Sequence, residues 1–350
     1  ASSIKHQASS IKHQASSIKH QASSIKHRVS GNEEGCRMSV PTASNIAAER
    51  APTQRRKHAP GHGALMRFVA LALTPIMLLF FIFAFLPIGV SIFLSFYRYS
   101  PLDMNAPFIG LRNYTFAFTK DPAFVTSLGN TLKYVLIAVP LNVVLTLPIA
   151  LALNHIKRFK AFFRAVYFMP AITSLVAVVL VWRYLLDPQA GLINGALALV
   201  GLPGRAWLGE PEYALFAMIL LSVWQDMGYN VIVFLAGLQT IPETFYEAAM
   251  VDGANGWQRF RHITLPLLSR TTLFVLVLTT ISYMQVFVPM AIMTRGGPLN
   301  STRTIVLHIW DQAFQYLKMG YASALSVVLL LMLLAITLIQ LRLLRSNWEY

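Results

Sequence analysis

The chain holds a single cysteine, Cys36, so no disulfide can form within it. Charge is scarce as well: charged residues make up 12% of the 350, against 55% hydrophobic. An ordinary soluble domain carries roughly a quarter charged residues, so that class is excluded. Short signatures of chemistry are missing too. No Gly-Lys pair occurs anywhere, and a P-loop needs Gly-Lys followed by Ser or Thr to cradle phosphate, so a fused nucleotide-binding domain of that type is excluded. Neither HExxH nor GxSxG appears, which removes the common metalloprotease and serine-hydrolase signatures. His58 and His62 have the four-residue spacing of a metal-binding helix, but Pro60-Gly61 between them denies the helix. No cofactor is expected.

What remains is a set of apolar runs of about 20 residues, each long enough to cross a hydrocarbon core of roughly 30 Å. Six spans are expected, at about 68–91, 132–153, 165–186, 213–235, 271–293 and 322–344. The fold class is therefore an all-α, polytopic membrane protein with six transmembrane helices. The net charge of +15 sits in tails and short links beside these runs. That placement suits membrane orientation and contact with anionic lipid, with no nucleic acid implied. The segments 50–67, 155–164, 240–270 and the C-terminal Arg342 and Arg345 carry about 14 Lys and Arg, the opposite connections about 8. The clearest link holds Lys157, Arg158, Lys160 and Arg164 and no acid. Both termini and the 240–270 link are thus expected in the cytoplasm.

Residues 1–64 read as a disordered cytoplasmic tail, preceding a transmembrane domain over 65–350. ASSIKHQ occurs three times, then ASSIKHR, so residues 1–28 are a seven-residue repeat. A coiled-coil seam needs two large apolar residues per heptad and each copy has one. The near-identity of the copies points to expansion of the coding DNA or an over-long reading frame, with Met38 as the expected start. His6, His13, His20 and His27 suit a solvated tail better than a metal site. The repeat has no apolar core, so it is not a signal peptide.

The segment 240–268 is a polar link of helical character between two spans. Thr240 and Glu243 have capping-box spacing with Pro242 in the first turn, which predicts a helix running to about Val251. Phe245, Ala248 and Ala249 would share its surface. Gly253 can adopt φ > 0 and end that helix sharply. A second short helix is expected from about Asn255 to Leu265-Pro266, where proline disfavours continuation.

Glu247-Ala248-Ala249, Gly253-Ala254 and Ile263-Thr264-Leu265-Pro266 resemble the coupling (EAA) loop of permeases of binding-protein-dependent ABC importers. The resemblance covers about 65–345 and is to the carbohydrate-uptake branch, similar to maltose and glycerol-phosphate permeases. Pro75 and Pro87, Gly110-Leu111-Arg112-Asn113-Tyr114, Asn130-Thr131-Leu132, Met169-Pro170, Gly191-Leu192-Ile193-Asn194, Leu235-Ala236-Gly237-Leu238-Gln239, Arg295-Gly296-Gly297-Pro298 and Gly320-Tyr321-Ala322-Ser323-Ala324 carry it in order. The resemblance implies a multi-pass permease of a bacterial inner membrane that is not itself an enzyme and that moves a sugar, oligosaccharide, polyol or glycerol-phosphate by alternating access. It implies a pair of ATP-binding cassette subunits, a second homologous permease subunit on a different chain, and an extracytoplasmic solute-binding protein. Glu247, Ala248, Ala249 and Gly253, with Asp252 and Arg259 as polar contacts, are then the residues that couple to the ATPase.

For the substrate path, an ionisable residue at mid-membrane is a functional candidate by default. Asp226 is such a residue, about 20 Å along the fourth span at helical rise. Gln225 and Tyr229 share a face near it, Trp224 adds a ring, and Tyr283 and Gln285 lie at similar depth in the fifth span. These groups suit a polyhydroxylated ligand; equally, they suit hydrogen bonds that join helices. A carboxylate there favours neutral sugars or polyols over an anionic cargo, unless it is protonated or paired with Lys133. A secondary transporter or channel working without an ATPase is the alternative, and it has no need of the 240–268 motif. A membrane-embedded enzyme would need a nucleophile, base or metal constellation in the spans, and none is seen.

Overall fold

Proline and glycine decide where the helices of this chain bend and how closely they pack. The structure is a computed structural model describing residues 62–103, 105–156 and 160–343. The repeat, Cys36, Met38, Arg55–Lys57, Lys157, Arg158 and Arg345 lie outside the described residues. The chain divides into two units, Ala1–Ala72 and Leu73–Tyr350, and the described part of the first is the opening of one helix.

In chain order the helices are α1 (His62–Phe80), α2 (Leu86–Leu94), α3 (Arg112–Lys120), α4 (Pro122–His155), α5 (Lys160–Ile172), α6 (Leu175–Leu185), α7 (Leu192–Leu199), α8 (Pro211–Gln239), α9 (Glu243–Val251), α10 (Gly256–Arg259), α11 (Ser269–Met284), α12 (Ile305–Trp310) and α13 (Met319–Leu343). Among the described residues there is no strand, only an isolated bridge between Tyr97 and Phe108. The fold class is all-α. A wide π turn, Phe81–Phe85, joins α1 to α2, and another, Phe260–Thr264, follows α10. Each stands two residues before a proline, Pro87 and Pro266. Proline has no N–H and crowds the carbonyl four residues back, and the wider turn absorbs both effects.

Four helical stretches are long and apolar enough to cross a membrane: Met66–Leu94, Pro122–His155, Pro211–Gln239 and Met319–Leu343. Two bent pairs, Phe162–Ile172 with Leu175–Leu185 and Gly256–Leu267 with Ser269–Met284, bring the number up to six if each pair is one span. The third expected span, 165–186, is therefore not one straight helix. It turns by 93° where Pro170 sits inside α5 and Ser174 takes an extended conformation, its carbonyl restarting α6 by accepting from Val178 N. The fifth, expected over 271–293, stops as a helix at Met284. The chain leaves helical structure over 285–287, and Val288 and Pro289 lead back into a π turn at Met290–Thr294, proline standing in the opening turn where its missing N–H does no harm.

α8 is the central helix, buried along its length against α4, α5 and α11. Glycines permit that closeness. A Cβ on Gly228 would meet Tyr167 C at 2.8 Å and Phe168 Cα at 2.9 Å on α5, and one on Gly237 would meet Thr271 Cγ2 at 2.8 Å on α11. Small residues at such crossings are how helices pack without a hydrophobic drive from water. At one end of the bundle Ala150, Leu153, Val231, Phe234, Leu238, Ile241, Leu268 and Val275 form a core on which Tyr246 of α9 is seated. A larger core around Tyr134, Tyr283, Met284, Met290, Ile305 and Leu325 fills the rest. By contrast the Met66–Leu94 stretch buries nothing of its most apolar window, an all-round apolar helix of the kind that lipid or another chain covers.

Candidate functional site: a coupling hairpin and an intramembrane recess

The hairpin begins differently from its sequence-based expectation. Thr240 does not cap α9; its hydroxyl donates back to Gly237 O at 2.8 Å, satisfying the end of α8. Pro242, in extended conformation, stands at the N-cap position instead. Thr240 is two residues too early for that role, and its hydroxyl instead joins its own N–H on a last-turn carbonyl of the preceding helix. The helix itself ends at Val251 as expected. Gly253 takes φ +79°, Ala254 N donates to Ala249 O at 2.8 Å and Gly253 N to Met250 O at 3.1 Å. These are the two bonds of a Schellman ending, which a left-handed residue makes possible. Asn255 and Gln258 then form a reciprocal capping box, at 2.9 and 2.8 Å, that starts α10. The second helix passes through Leu265-Pro266 and breaks at Leu268, with a bend of 64° into α11. Pro266 occupies the first turn of the Leu265–Leu267 helix, where a missing N–H does no harm.

The result is an exposed knuckle on a fixed base. Tyr246 bonds Thr264 across the hairpin, 3.0 Å between hydroxyls, and rests on the core beneath. Glu247, Ala248, Asp252 and Gly253 are exposed and Ala249 half-exposed. Arg259 is drawn inward, its Nε buried without a partner among the described residues. Residues that the sequence reading passed over complete the surface: beside Phe245, the side chains of Met250, Val251 and Trp257 are all exposed, Val251 by 88%. Apolar groups this open on a polar link form an exposed patch of the kind that marks a contact with protein or membrane.

The second feature is a recess of about 230 Å³ lined by Leu175, Ser222, Gln225, Asp226, Ser282, Tyr283, Gln285, Val286, Phe287, Val288 and Pro289. Asp226 lies near the middle of α8, and the break after Met284 opens the chain opposite it. The Tyr283 hydroxyl faces the Asp226 carboxylate, while Gln225, only 8% exposed, has a buried Oε1 with no partner among the described residues. Four of the six sequence-chosen residues, Gln225, Asp226, Tyr283 and Gln285, thus meet here. The other two do not line it. Trp224 packs on Trp182, ring centroids 5.7 Å apart, and Tyr229, one turn along α8 from Gln225, is 49% exposed. Lys133 is exposed, and no ion pair among the described residues joins it to Asp226.

Beneath the recess, toward the hairpin, runs a buried amide chain. Asn230 donates to Asn142 Oδ1 at 2.7 Å and to Thr279 Oγ1 at 3.1 Å, and Asn142 donates to the Tyr283 hydroxyl at 3.1 Å. This links α4, α8 and α11. It is helix-joining chemistry, and neutral amides inside apolar runs were its only signal in the sequence. At the far end from the hairpin, Asp121 caps α4 through Phe124 N at 3.1 Å and accepts from Tyr321 at 2.7 Å and from His308 Nε2 at 3.0 Å. Burial pushes the Asp121 carboxyl up, but the bonds from Tyr321, Phe124 and His308 outweigh it and the carboxyl ends below its usual range. Burial holds His308 below the ordinary histidine value, although the Asp121 charge pulls it the other way. The pair is therefore a neutral imidazole donating to a carboxylate, and Arg303 takes its own acid, Asp311, at 2.8 Å.

A helical bundle of membrane spans, an exposed two-helix knuckle and a polar recess at mid-span define a membrane transport subunit. The description "Binding-protein-dependent transport system inner membrane component" matches residues 142–347, and the chain belongs to that family of ABC transporter permeases. It is 42% identical over 271 residues, 76% of this chain and 87% of the relative, to a probable ABC transporter permease protein, YesP, of Bacillus subtilis. It is 35% identical over 272 residues, 77% of this chain and 86% of the relative, to the arabinooligosaccharides transport system permease protein AraP of the same organism. Among solved structures, a bacterial alginate ABC transporter in complex with its alginate pentasaccharide-bound periplasmic protein contains a chain with the same fold. It gives a TM-score of 0.71 at 23% identity, covering 81% of this chain and 96% of that one.

Proposed function

We propose that this chain is the transmembrane permease subunit of an ATP-driven, binding-protein-dependent importer for a sugar or sugar-like solute. The observation that carries the mechanism is the exposed knuckle Glu243–Val251, closed by Gly253 and standing on its own core. The sugar class rests on relatives such as AraP. Glu247, Ala248, Ala249, Asp252 and Gly253 present the surface that an ATP-binding subunit grips. Arg259 supports the knuckle from inside. The hairpin and both termini face the cytoplasm, as the distribution of Lys and Arg indicates.

In this reading ATP closes a pair of ATP-binding subunits and draws the knuckle with them. Tyr246, Thr264 and the shared core transmit that movement to α8 and α11, whose crossing at Gly237 and Thr271 has no slack. The recess beside Asp226 then opens outward to receive solute from a binding protein, and hydrolysis on the partner chain restores the inward-facing packing. ATP and the loaded binding protein bias the same two-state element. A second permease chain completes the pathway.

Purification of the chain from its native membrane in mild detergent, with mass spectrometry of the accompanying proteins, tests this. An ATP-binding subunit and a second multi-span chain are expected. A chain that purifies alone from membranes where it is active would turn the assignment toward a secondary transporter.

A further inference from the structure

Accepting the recess as part of the solute path, its lining specifies what kind of solute passes. The side chains present two serine hydroxyls, Ser222 and Ser282, two amides, Gln225 and Gln285, one phenol, Tyr283, and one carboxylate, Asp226. Among the described residues lining it there is no Lys, Arg or His. The Tyr283 hydroxyl faces Asp226, and no ion pair among the described residues joins Asp226 to a cation. Beside it the Gln225 Oε1, buried and without a partner, is a second acceptor left vacant. A buried acceptor with no donor is unfavourable until something donates to it. Apolar faces complete the wall: Leu175, Val286, Phe287 and Val288.

From this arrangement we infer that the recess is a charge-selective subsite, with Asp226 and Gln225 as its specificity-determining residues. It takes uncharged polyhydroxylated solutes and turns away sugar acids, sulfonates and phosphates. Hydroxyl donors of a neutral glycoside or polyol satisfy both vacant acceptors, and the C–H face of a sugar ring lies on Phe287 and the aliphatic side chains. An anionic group meets a carboxylate with no compensating cation in a medium of low effective dielectric. At separations of several ångströms that repulsion lowers occupancy by on the order of tenfold or more. The family does not decide this point: AraP is named for arabinooligosaccharides, whereas alginate is an acidic polysaccharide.

Charged thiol reagents test the filter without knowledge of the solute. In the assembled importer, with Cys36→Ser to remove the native thiol, Ser282→Cys places a reporter in the recess wall. Two methanethiosulfonates of similar size are compared, ethyltrimethylammonium and ethylsulfonate, in the absence of nucleotide and with ATP. Their rate ratio at Cys is divided by the ratio measured on free 2-mercaptoethanol. The ratio is expected to favour the cation by tenfold or more, to fall to the free-thiol value in Asp226→Asn, and to persist in Asp226→Glu. A ratio equal to that of the free thiol, unchanged by Asp226→Asn, overturns the inference while leaving the recess as a path. Should neither reagent reach the thiol in either nucleotide state, the recess is not on a water-accessible route, and the path reading itself fails.

Discussion

Replacement of Gly253 in a graded series isolates the turn that closes the knuckle, and with it the proposed coupling role. The residue holds φ +79°, and a Cβ built on it meets nothing within 4 Å. Steric clash with neighbours therefore contributes nothing, and the whole effect is backbone strain. An L-residue in that left-handed region costs about 1–2 kcal/mol. Alanine should thus lower the population of the native turn, relative to competing conformations, by roughly 5- to 30-fold. Asparagine, which tolerates the region, should cost less, and a β-branched valine more. Proline cannot reach φ +79° and also lacks the N–H that donates to Met250 O at 3.1 Å. ATP-driven uptake into membrane vesicles should fall in the order Gly, Asn, Ala, Val, Pro, with equal amounts of protein in the membrane throughout. Val251 and Trp257 leave the knuckle misaligned in the weaker variants, so ATPase activity should respond less to loaded binding protein. Wild-type uptake by Gly253→Pro would refute the reasoning, since no arrangement of proline preserves this turn.

Three other substitutions follow from the geometry. Asn230→Leu leaves Asn142 Oδ1 and Thr279 Oγ1 without their donor and should lower the stability of the purified complex by about 1–3 kcal/mol. The double variant Asn142→Leu, Asn230→Leu should recover part of that loss, and a single variant as stable as the parent would contradict the network's role. Gly228→Ala drives a methyl into the Tyr167–Phe168 backbone and should cost about 1–3 kcal/mol by separating α8 from α5, read as a drop in Tm. His308 gives a pH dependence. Its folded pKa lies below the ordinary histidine value, so the unfolded chain binds the proton first and stability falls as pH drops from about 6.5 toward the folded value. Below that, the depressed Asp121 carboxyl adds its own loss as pH falls through and beneath the ordinary carboxylate range. His308→Gln should flatten the first of these slopes in a Tm series from pH 7.5 to 5; an unchanged slope would show that another group carries it.

The helical class was legible because membrane spans announce themselves by length and apolarity alone. Expected boundaries at 68–91 and 213–235 fall within Met66–Leu94 and Pro211–Gln239. The two bent pairs and the 285–287 break were not legible, since hydropathy averages over Pro170, Ser174, Leu268 and such breaks without sensing the backbone. The end of the first hairpin helix could be read because glycine at 253 is the one residue type that makes a left-handed ending easy. Its start could not: the Thr240 hydroxyl can accept from an N–H ahead of it or donate to a carbonyl behind it, and local spacing does not rank the two. Depth along a span placed Gln225, Asp226, Tyr283 and Gln285 at a common level, and they do converge. Depth does not resolve rotation about a helix axis, so Trp224, two residues from Asp226, turns away from the recess, and Tyr229, almost a full turn further along, does not line it either. Ser222 and Ser282 join it for the same reason, lying one helical turn before Asp226 and one residue before Tyr283. The Asn142–Asn230 bond escaped notice because neither residue is ionisable, and only tertiary packing makes them neighbours.

The central claim is that a separate ATP-binding chain grips the knuckle, and a cross-link from its surface tests that most directly. Ala248→Cys in a Cys36→Ser background, carrying a photoactivatable thiol probe in the native membrane, should capture one ATP-binding subunit, identified by mass spectrometry, and ATP should change the yield. Capture of lipid alone, or of no protein, from membranes in which the variant still imports solute would contradict the account.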